Sequence, residues 1–364
     1  MNSISSKAAA SLCLAMAAAG AQAAEGFEPR YNLAGSLGGE IFAPPEQRGW
    51  AIGAAATYVP VRRVSGDDGK DLRLAVPGAS VAVPGLPGAL APAFPATEAS
   101  VRGTGAMHRT DLALAWLSDQ QDGGGQLIVV LDVPVIRKEQ HISLSAPTPA
   151  LAWPNPAVPD PVTRGAVAGQ FGSQYQQGLA GQGAAATGNI TGVGDAELMA
   201  GWQKVGERLR LLAGASLVLP TGKYGADPQP DAGTGNFYTV RPAVQAAYLP
   251  SSRLALGAKL SLGLNSRNRD NQLRSGNWWG TELAAGYMTP VGVVGLHMLR
   301  VQQYQADDQN PLGPSRFRST NGGVFFTTKL PGADTIVTLQ SIATLSSRQA
   351  KHGSFTQLRL IKSL

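Results

Sequence analysis

From Leu254 to Leu264 every second residue is apolar: Leu254, Leu256, Ala258, Leu260, Leu262 and Leu264 alternate with Ala255, Gly257, Lys259, Ser261 and Gly263. A repeat of two puts these sets on opposite faces of an extended strand, whereas a helical stripe repeats every 3.6 residues. Leu209–Leu219 follows the same rule, with Arg210, Leu212, Gly214, Ser216 and Val218 on the second face. So does Tyr238–Tyr248, with Thr239, Arg241, Gln245 and Ala247 opposed, and so does Val337–Leu345. Strands of soluble sheets average about five or six residues, while about 9–11 tilted residues cross a bilayer core. One wall of these long strands is Leu, Val, Ala and Tyr. The other carries Arg210, Arg241, Gln245, Lys259, Glu282 and Arg359 among small residues. Lipid outside and water inside a barrel predict that division, and a soluble sandwich would reverse it.

Twelve candidate strands follow: about 49–64, 106–118, 125–145, 190–203, 207–220, 236–249, 253–266, 277–289, 291–305, 317–330, 334–347 and 354–364. The gaps at 119–124, 204–206, 250–252, 290 and 331–333 are brief, and those at about 66–105, 146–189, 221–235, 267–276 and 306–316 are mostly longer. An even strand number, with short turns at one end and long loops at the other, is the pattern of a bacterial outer-membrane barrel. The expected fold is therefore all-β, an antiparallel transmembrane β-barrel of about 12 strands over residues 49–364, with external loops at about 66–105 and 146–189. A barrel of this size is too narrow for an open porin channel, so a restricted path is expected. The Pro- and Ala-rich runs 77–100 and 146–161 lack the N–H groups of a complete ladder and read as external loops. Residues 165–188 fit a short helix, a loop packed into the pore, or no order. Residues 24–48 fit a small plug in the lumen or a periplasmic tail.

The chain opens with one cation, Lys7, an apolar run from Ala8 to Ala19, and Ala21-Gln22-Ala23. That is a signal peptide over 1–23 with cleavage after Ala23. The run is shorter than the roughly 20 residues of a spanning helix. The single cysteine, Cys13, leaves with this leader, so the exported chain has neither thiol nor disulfide chemistry. A net charge of +6 raises polyanion binding, but the densest basic clusters are the pairs Arg62-Arg63 and Arg137-Lys138, and aromatics are 6%. Nucleic acid is not an expected partner.

Asp195 and Glu197 fall on one inward strand face, and Asp132 points to the same lumen. Two carboxylates can perform acid–base work, but Arg210, Arg241 and Lys259 occupy inward faces nearby, and buried charges need partners. A charge-balanced lumen network that positions loops and tunes permeation is the expected role, and no residue is assigned as catalytic. His141 and Ser143 share one strand face and raise a barrel hydrolase, yet no third group orients the imidazole, which reads instead as a rim histidine. The histidines at 108, 141, 297 and 352 have no metal-ligand spacing, so no metal or other cofactor is expected. Gly181-Gln-Gly183 lacks the context of a phosphate loop. Trp50, Trp116, Trp202, Trp278, Trp279, Tyr248 and Tyr287 lie near strand ends, where headgroup-level rings are favoured. Trp116, Trp202, Tyr248 and Tyr287 adjoin short turns and form an expected periplasmic girdle. In strand 291–305, His297 and Arg300 require opposite faces, which leaves its register open.

An ordered series of motifs adds a second line of argument. Ile190-Thr-Gly-Val-Gly-Asp195, Leu217-Val-Leu-Pro-Thr-Gly-Lys-Tyr224, Gly233-Thr-Gly-Asn236, Asn265-Ser-Arg-Asn-Arg-Asp270, Ser275-Gly276 and Gln302-Gln-Tyr-Gln-Ala-Asp-Asp308 occur in this order. With Gly38-Gly39, Pro44-Pro45 and Val64-Ser-Gly-Asp-Asp-Gly69 upstream, the chain resembles the outer-membrane family named for the MetA-pathway of phenol degradation. The tracts 77–104 and 146–189 are richer in Pro and Ala than that pattern, and Leu364 stands where many such barrels end in Phe. The resemblance implies a barrel that passes small hydrophobic or aromatic compounds inward, in association with the degradation of phenolic compounds. Its expected partners are outer-membrane lipid, the outer-membrane assembly machinery and those solutes. A structural or adhesive barrel with a plugged pore is the first rival, and a hydrolase the second.

Overall fold

The structure, a computed structural model, describes residues 30–42, 48–120, 124–155, 157, 159–225, 229–309 and 316–364. The expected signal peptide lies outside the described residues. The strands are β1 (Gly49–Ser65), β2 (Thr97–Leu117), β3 (Gln126–Ser145), β4 in two pieces (Gly188–Val193 and Glu197–Val205), β5 (Leu209–Val218) and β6 (Thr239–Tyr248). They continue as β7 (Leu254–Asn265), β8 (Trp278–Thr289), β9 (Gly292–Gln303), β10 (Arg318–Leu330), β11 (Thr335–Arg348) and β12 (Ala350–Ser363). Each pairs antiparallel with the next, and β12 returns to β1 from Ala51↔Ser363 to Ser65↔Ala350. The result is a closed twelve-stranded antiparallel barrel. Closure pairs the strands of the barrel wall with a neighbour on each side, the condition for crossing a bilayer with strands.

The alternation read from the sequence is the alternation of walls. Along β7, Ala255, Ser261 and Asn265 are buried, while Leu254, Leu256, Leu260, Leu262 and Leu264 are exposed. Leu296 and Leu345 are 66% and 64% exposed on the outer wall, a placement that only lipid makes favourable. Leu296→Arg is therefore expected to destabilise the barrel by about 2–4 kcal/mol in a bilayer if the site lies near midplane. Urea titration of the protein folded into lipid vesicles measures it, and an unchanged midpoint would remove Leu296 from the lipid face.

At the short-turn end, Trp50 pairs across the ladder with Trp116, and both rings are exposed, as are Trp202, Tyr248 and Tyr287. Trp278 differs: it is wholly buried inside the barrel with Leu299, Val301, Phe317 and Ala350. Its register partner is Gly263, where an added Cβ would sit 2.0 Å from the indole, so the missing side chain makes the room.

The long-loop end departs from expectation in two places. The second strand begins at Thr97 rather than near 106, because Thr97–Ser100 pairs with Arg73–Val76. Ala79–Ser80 pairs in turn with Ala93–Phe94. The prolines at 77, 84, 87, 92 and 95 flank these ladders instead of interrupting them, so 77–100 is not bare loop. Most of 165–188 is helical, within α1 (Pro161–Ala185). Asp160 caps α1 by accepting from the amides of Val162 at 2.9 Å and Thr163 at 3.1 Å, and Pro161 sits in the first turn, where its missing N–H costs nothing. The Thr163 hydroxyl, 2.6 Å away, and those amides hold the Asp160 carboxyl below its ordinary range. Phe171, Tyr175 and Leu179, one helical stripe, pack on Val76, Phe94 and Ala99.

Residues 30–42 run inside the barrel. Arg30 lies toward the long loops, donating to the carbonyls of Gly235 and Phe237. Phe42 lies near the short turns, packed with Leu37, Ala247, Ala255, Ala284, Val293 and Phe325. The close approach at Gly39 tolerates no side chain, since a Cβ would fall 2.3 Å from the Thr327 hydroxyl.

Candidate functional site

Two charged centres hold residues 30–42 to the wall. In the first, Glu197 pairs with Arg241 and accepts from the Asn32 amide at 3.3 Å. Arg241 also donates to the Arg30 carbonyl at 2.7 Å, and Arg30 pairs with Asp195 at 2.9 Å. On the adjoining wall Arg109 pairs with Asp111 at 2.6 Å and reaches Asp132 at 3.8 Å. The second centre is Glu282, whose side chain is wholly buried. It receives the Tyr31 hydroxyl, the Leu37 amide at 2.5 Å, Lys259 at 3.2 Å and His297 at 3.0 Å. Lys259 and Glu282 are register partners on β7 and β8, so the ladder itself sets opposite charges side by side. Lower down, Arg359 pairs with Glu40 at 2.9 Å and donates to the Ser36 carbonyl at 3.1 Å, while Arg210 donates to the Ile41 carbonyl at 3.2 Å.

Among the described residues, two cavities flank these centres. One, of about 300 Å³, lies toward the short turns, lined by Ile128, Val130, Met199, Leu212 and Ile361 with many Gly and Ala positions. The other, of about 260 Å³, lies toward the long loops, lined by Val59, Val61, Met107, Ile136, Leu299 and Phe355, with Lys138 and Lys351. Tyr31, Glu197 and Arg241 border both, so the charged ring and the inner segment stand between two chambers, the turn-side one mainly aliphatic and the loop-side one mixed, with Arg109, Lys138, Asp231 and Lys351 beside its aliphatic residues.

Asp132, Asp195, Glu197, Arg210, Arg241, Gln245, Lys259, Glu282 and Arg359 all sit on the inward wall. The structure brings seven of them into direct bonding with residues 30–42. Asp132 instead joins Arg109 and Asp111, and Gln245 lines the turn-side cavity. His297 faces the lumen and Arg300 the outside, which fixes the register of β9. Arg109, Asp111, Gln340 and Gln357 complete the inner network and were not singled out from sequence. The Arg109-x-Asp111 spacing is a legible signal, because two residues apart on a strand share a face. Arg30, Tyr31 and Asn32 carry no periodic signal at all.

His141 and Ser143 are exposed on the outer face of β3, and neither hydrogen-bonds a described side chain. Among the described residues no group of three His, Cys, Asp or Glu side chains is placed to hold a metal.

The glycine-rich motifs meet at one latch. Asp195 accepts the amides of Gly222 at 3.0 Å and Thr234 at 2.8 Å, while the Thr221 hydroxyl accepts from Ala196 at 2.8 Å and donates to the Gly194 carbonyl at 3.1 Å. Gly222 and Gly233 touch backbone to backbone, where a Cβ on Gly222 would lie 2.6 Å from the Gly233 Cα. A second latch ties Asn265, Ser275, Gly276, Gln303 and Asp307 through bonds of 2.8–3.2 Å. These motifs therefore build loop ends that aim Arg30 and Trp278 inward. The sequence pattern of the MetA-pathway of phenol degradation family matches residues 112–339, from β2 through β11. The chain belongs to that family.

This family member is similar in fold to an outer membrane channel from Pseudomonas putida F1, at 15% identity and a TM-score of 0.58 over 92% of this chain and 99% of the other. The β domain of the Bordetella autotransporter BrkA is more distant, at 10% identity and a TM-score of 0.42 over 86% and 99% of the two chains. No curated protein sequence matches it.

Proposed function

We propose that the barrel is a passive outer-membrane channel for small hydrophobic or aromatic, phenol-like solutes, with its long loops outside the cell and residues 30–42 as the divider of its path. The observation that carries this reading is the aliphatic surface that both chambers offer on either side of one charged ring. An aromatic solute leaves water readily for either chamber. A sugar would give up much of its hydration in the mainly aliphatic turn-side chamber, whose walls return few of those hydrogen bonds. Family membership supports the same solute class. Uptake of labelled phenol and toluene at low concentration, compared in cells with and without the protein, tests it. Several-fold faster entry of the aromatics with no change for glucose is expected, and equal rates in both cells would defeat the proposal.

The inner segment also favours the rival, a structural barrel with a closed pore. Planar-bilayer recording of the intact protein separates the two, because a barrel closed by that segment stays silent until residues 30–42 are removed.

A further inference from the structure

Three arginines stand together on the outer wall, away from the lumen. Arg318 and Arg348 are direct register partners on β10 and β11. Arg300, on β9, pairs with Thr320, and its neighbour on the same face, Gln302, pairs with Arg318. All three lie at the long-loop ends of their strands. Like charges placed directly opposite each other destabilise a ladder unless something neutralises them. No described carboxylate forms a salt bridge with any of the three. Arg348 and Arg300 both repel Arg318, and Asp67 attracts it.

What lies around them sets the depth. Arg300 rests over the Trp279 ring at 5.9 Å and donates to the Gln302 side chain at 2.8 Å, while its buried Nε has no partner. Toward the membrane centre on the same three strands, Met298, Val324 and Leu345 are exposed to lipid. An outward aromatic ring beside the edge of the apolar belt marks the headgroup level. Guanidinium groups at that level meet phosphate oxygens in forked, charge-assisted pairs.

We propose that Arg300, Arg318 and Arg348 form a docking site for the phosphate groups of an outer-leaflet glycolipid, whose acyl chains lie along the apolar wall beneath. The site is distinct from the solute path and does not depend on what the lumen carries. Other outward arginines lack this arrangement: Arg102 is opposite Ser143 and Arg137 is opposite His108.

The test is native mass spectrometry of the folded, full-length exported protein in detergent, offered bisphosphorylated lipid A or its dephosphorylated form. The variant Arg300→Gln/Arg318→Gln/Arg348→Gln is expected to hold bisphosphorylated lipid A about tenfold more weakly than the native protein. The pair Arg102→Gln/Arg137→Gln should bind it as the native protein does, and the dephosphorylated lipid should not distinguish native from triple variant. Equal retention of bisphosphorylated lipid A by the native protein and the triple variant overturns the proposal. So does displacement of that lipid by inorganic phosphate at equal concentration, which would make the cluster a phosphate site without a lipid. Should the triple variant fail to show the heat-modifiable migration of a folded barrel, Arg348→Gln alone and a salt titration of the native complex decide. Binding that ignores salt would then sink the proposal, because exposed ion pairs are screened.

Discussion

Glu282→Ala is expected to lower the stability of the barrel by about 3–5 kcal/mol, because it removes one member of a buried charged cluster and strands the others. Glu282 is the common acceptor for the Tyr31 hydroxyl, the Leu37 amide, Lys259 and His297. Alanine leaves the Lys259 ammonium, whose side chain is 11% exposed, without its counter-charge. Glu282→Gln retains the volume and one acceptor, so its loss should be smaller. Urea unfolding of both variants in the same bilayer gives the comparison. If Glu282→Ala unfolds within about 0.5 kcal/mol of the native barrel, the cluster does not hold the inner segment in the way its geometry describes. The same substitution should raise the frequency of open events in bilayer recordings, since two of the four groups that lose their partner belong to residues 30–42.

Removal of residues 24–42, with residues 1–23 kept, is expected to raise single-channel conductance several-fold. The two cavities share Tyr31 as a border, so withdrawing the segment joins them into one bore. Glu197, Arg241 and Glu282, stripped of their partners in residues 30–42, would then face water and line a hydrated passage, the arrangement that confers ion selectivity in narrow pores. An unchanged conductance would mean that solutes do not pass through the space this segment fills. An intact protein that stays silent while the deletion variant conducts would favour the structural reading. Agreement between this deletion and Glu282→Ala would tie the divider to the wall residue that anchors it.

Much of the barrel is legible from sequence because lipid and water enforce a strict alternation. Leu254 and Lys259 could be assigned to opposite walls with no structure, since lipid solvates leucine and rejects a charge. The wall charges were legible too, but their partners were not. Tyr31 and Leu37 sit in a stretch with no repeat, and a chain lying in a bore has no membrane-facing side to mark it. Asp195 and Glu197 read as members of a charge-balanced network with Arg210, Arg241 and Lys259, yet Arg30, which pairs with Asp195, lies 165 residues away in sequence. Trp278 misled because tryptophan near a strand end signals a headgroup, and only its pairing with Gly263 shows the inward pocket. The early start of β2 at Thr97 was hidden by the surrounding prolines, which limit ladders without preventing short ones.

The inner segment precedes the first strand and yet bonds to the last: Glu40 meets Arg359 across a sequence separation of 319, and Leu33 meets Gln357 across 324. Such distant partners must come together before either is rewarded for the chain freedom they surrender. The seam between β1 and β12 closes around the same residues. Tucking the peptide in and zipping the cylinder shut are thus one event, and a protein slow to seat its own interior strap would linger as an open, aggregation-prone sheet.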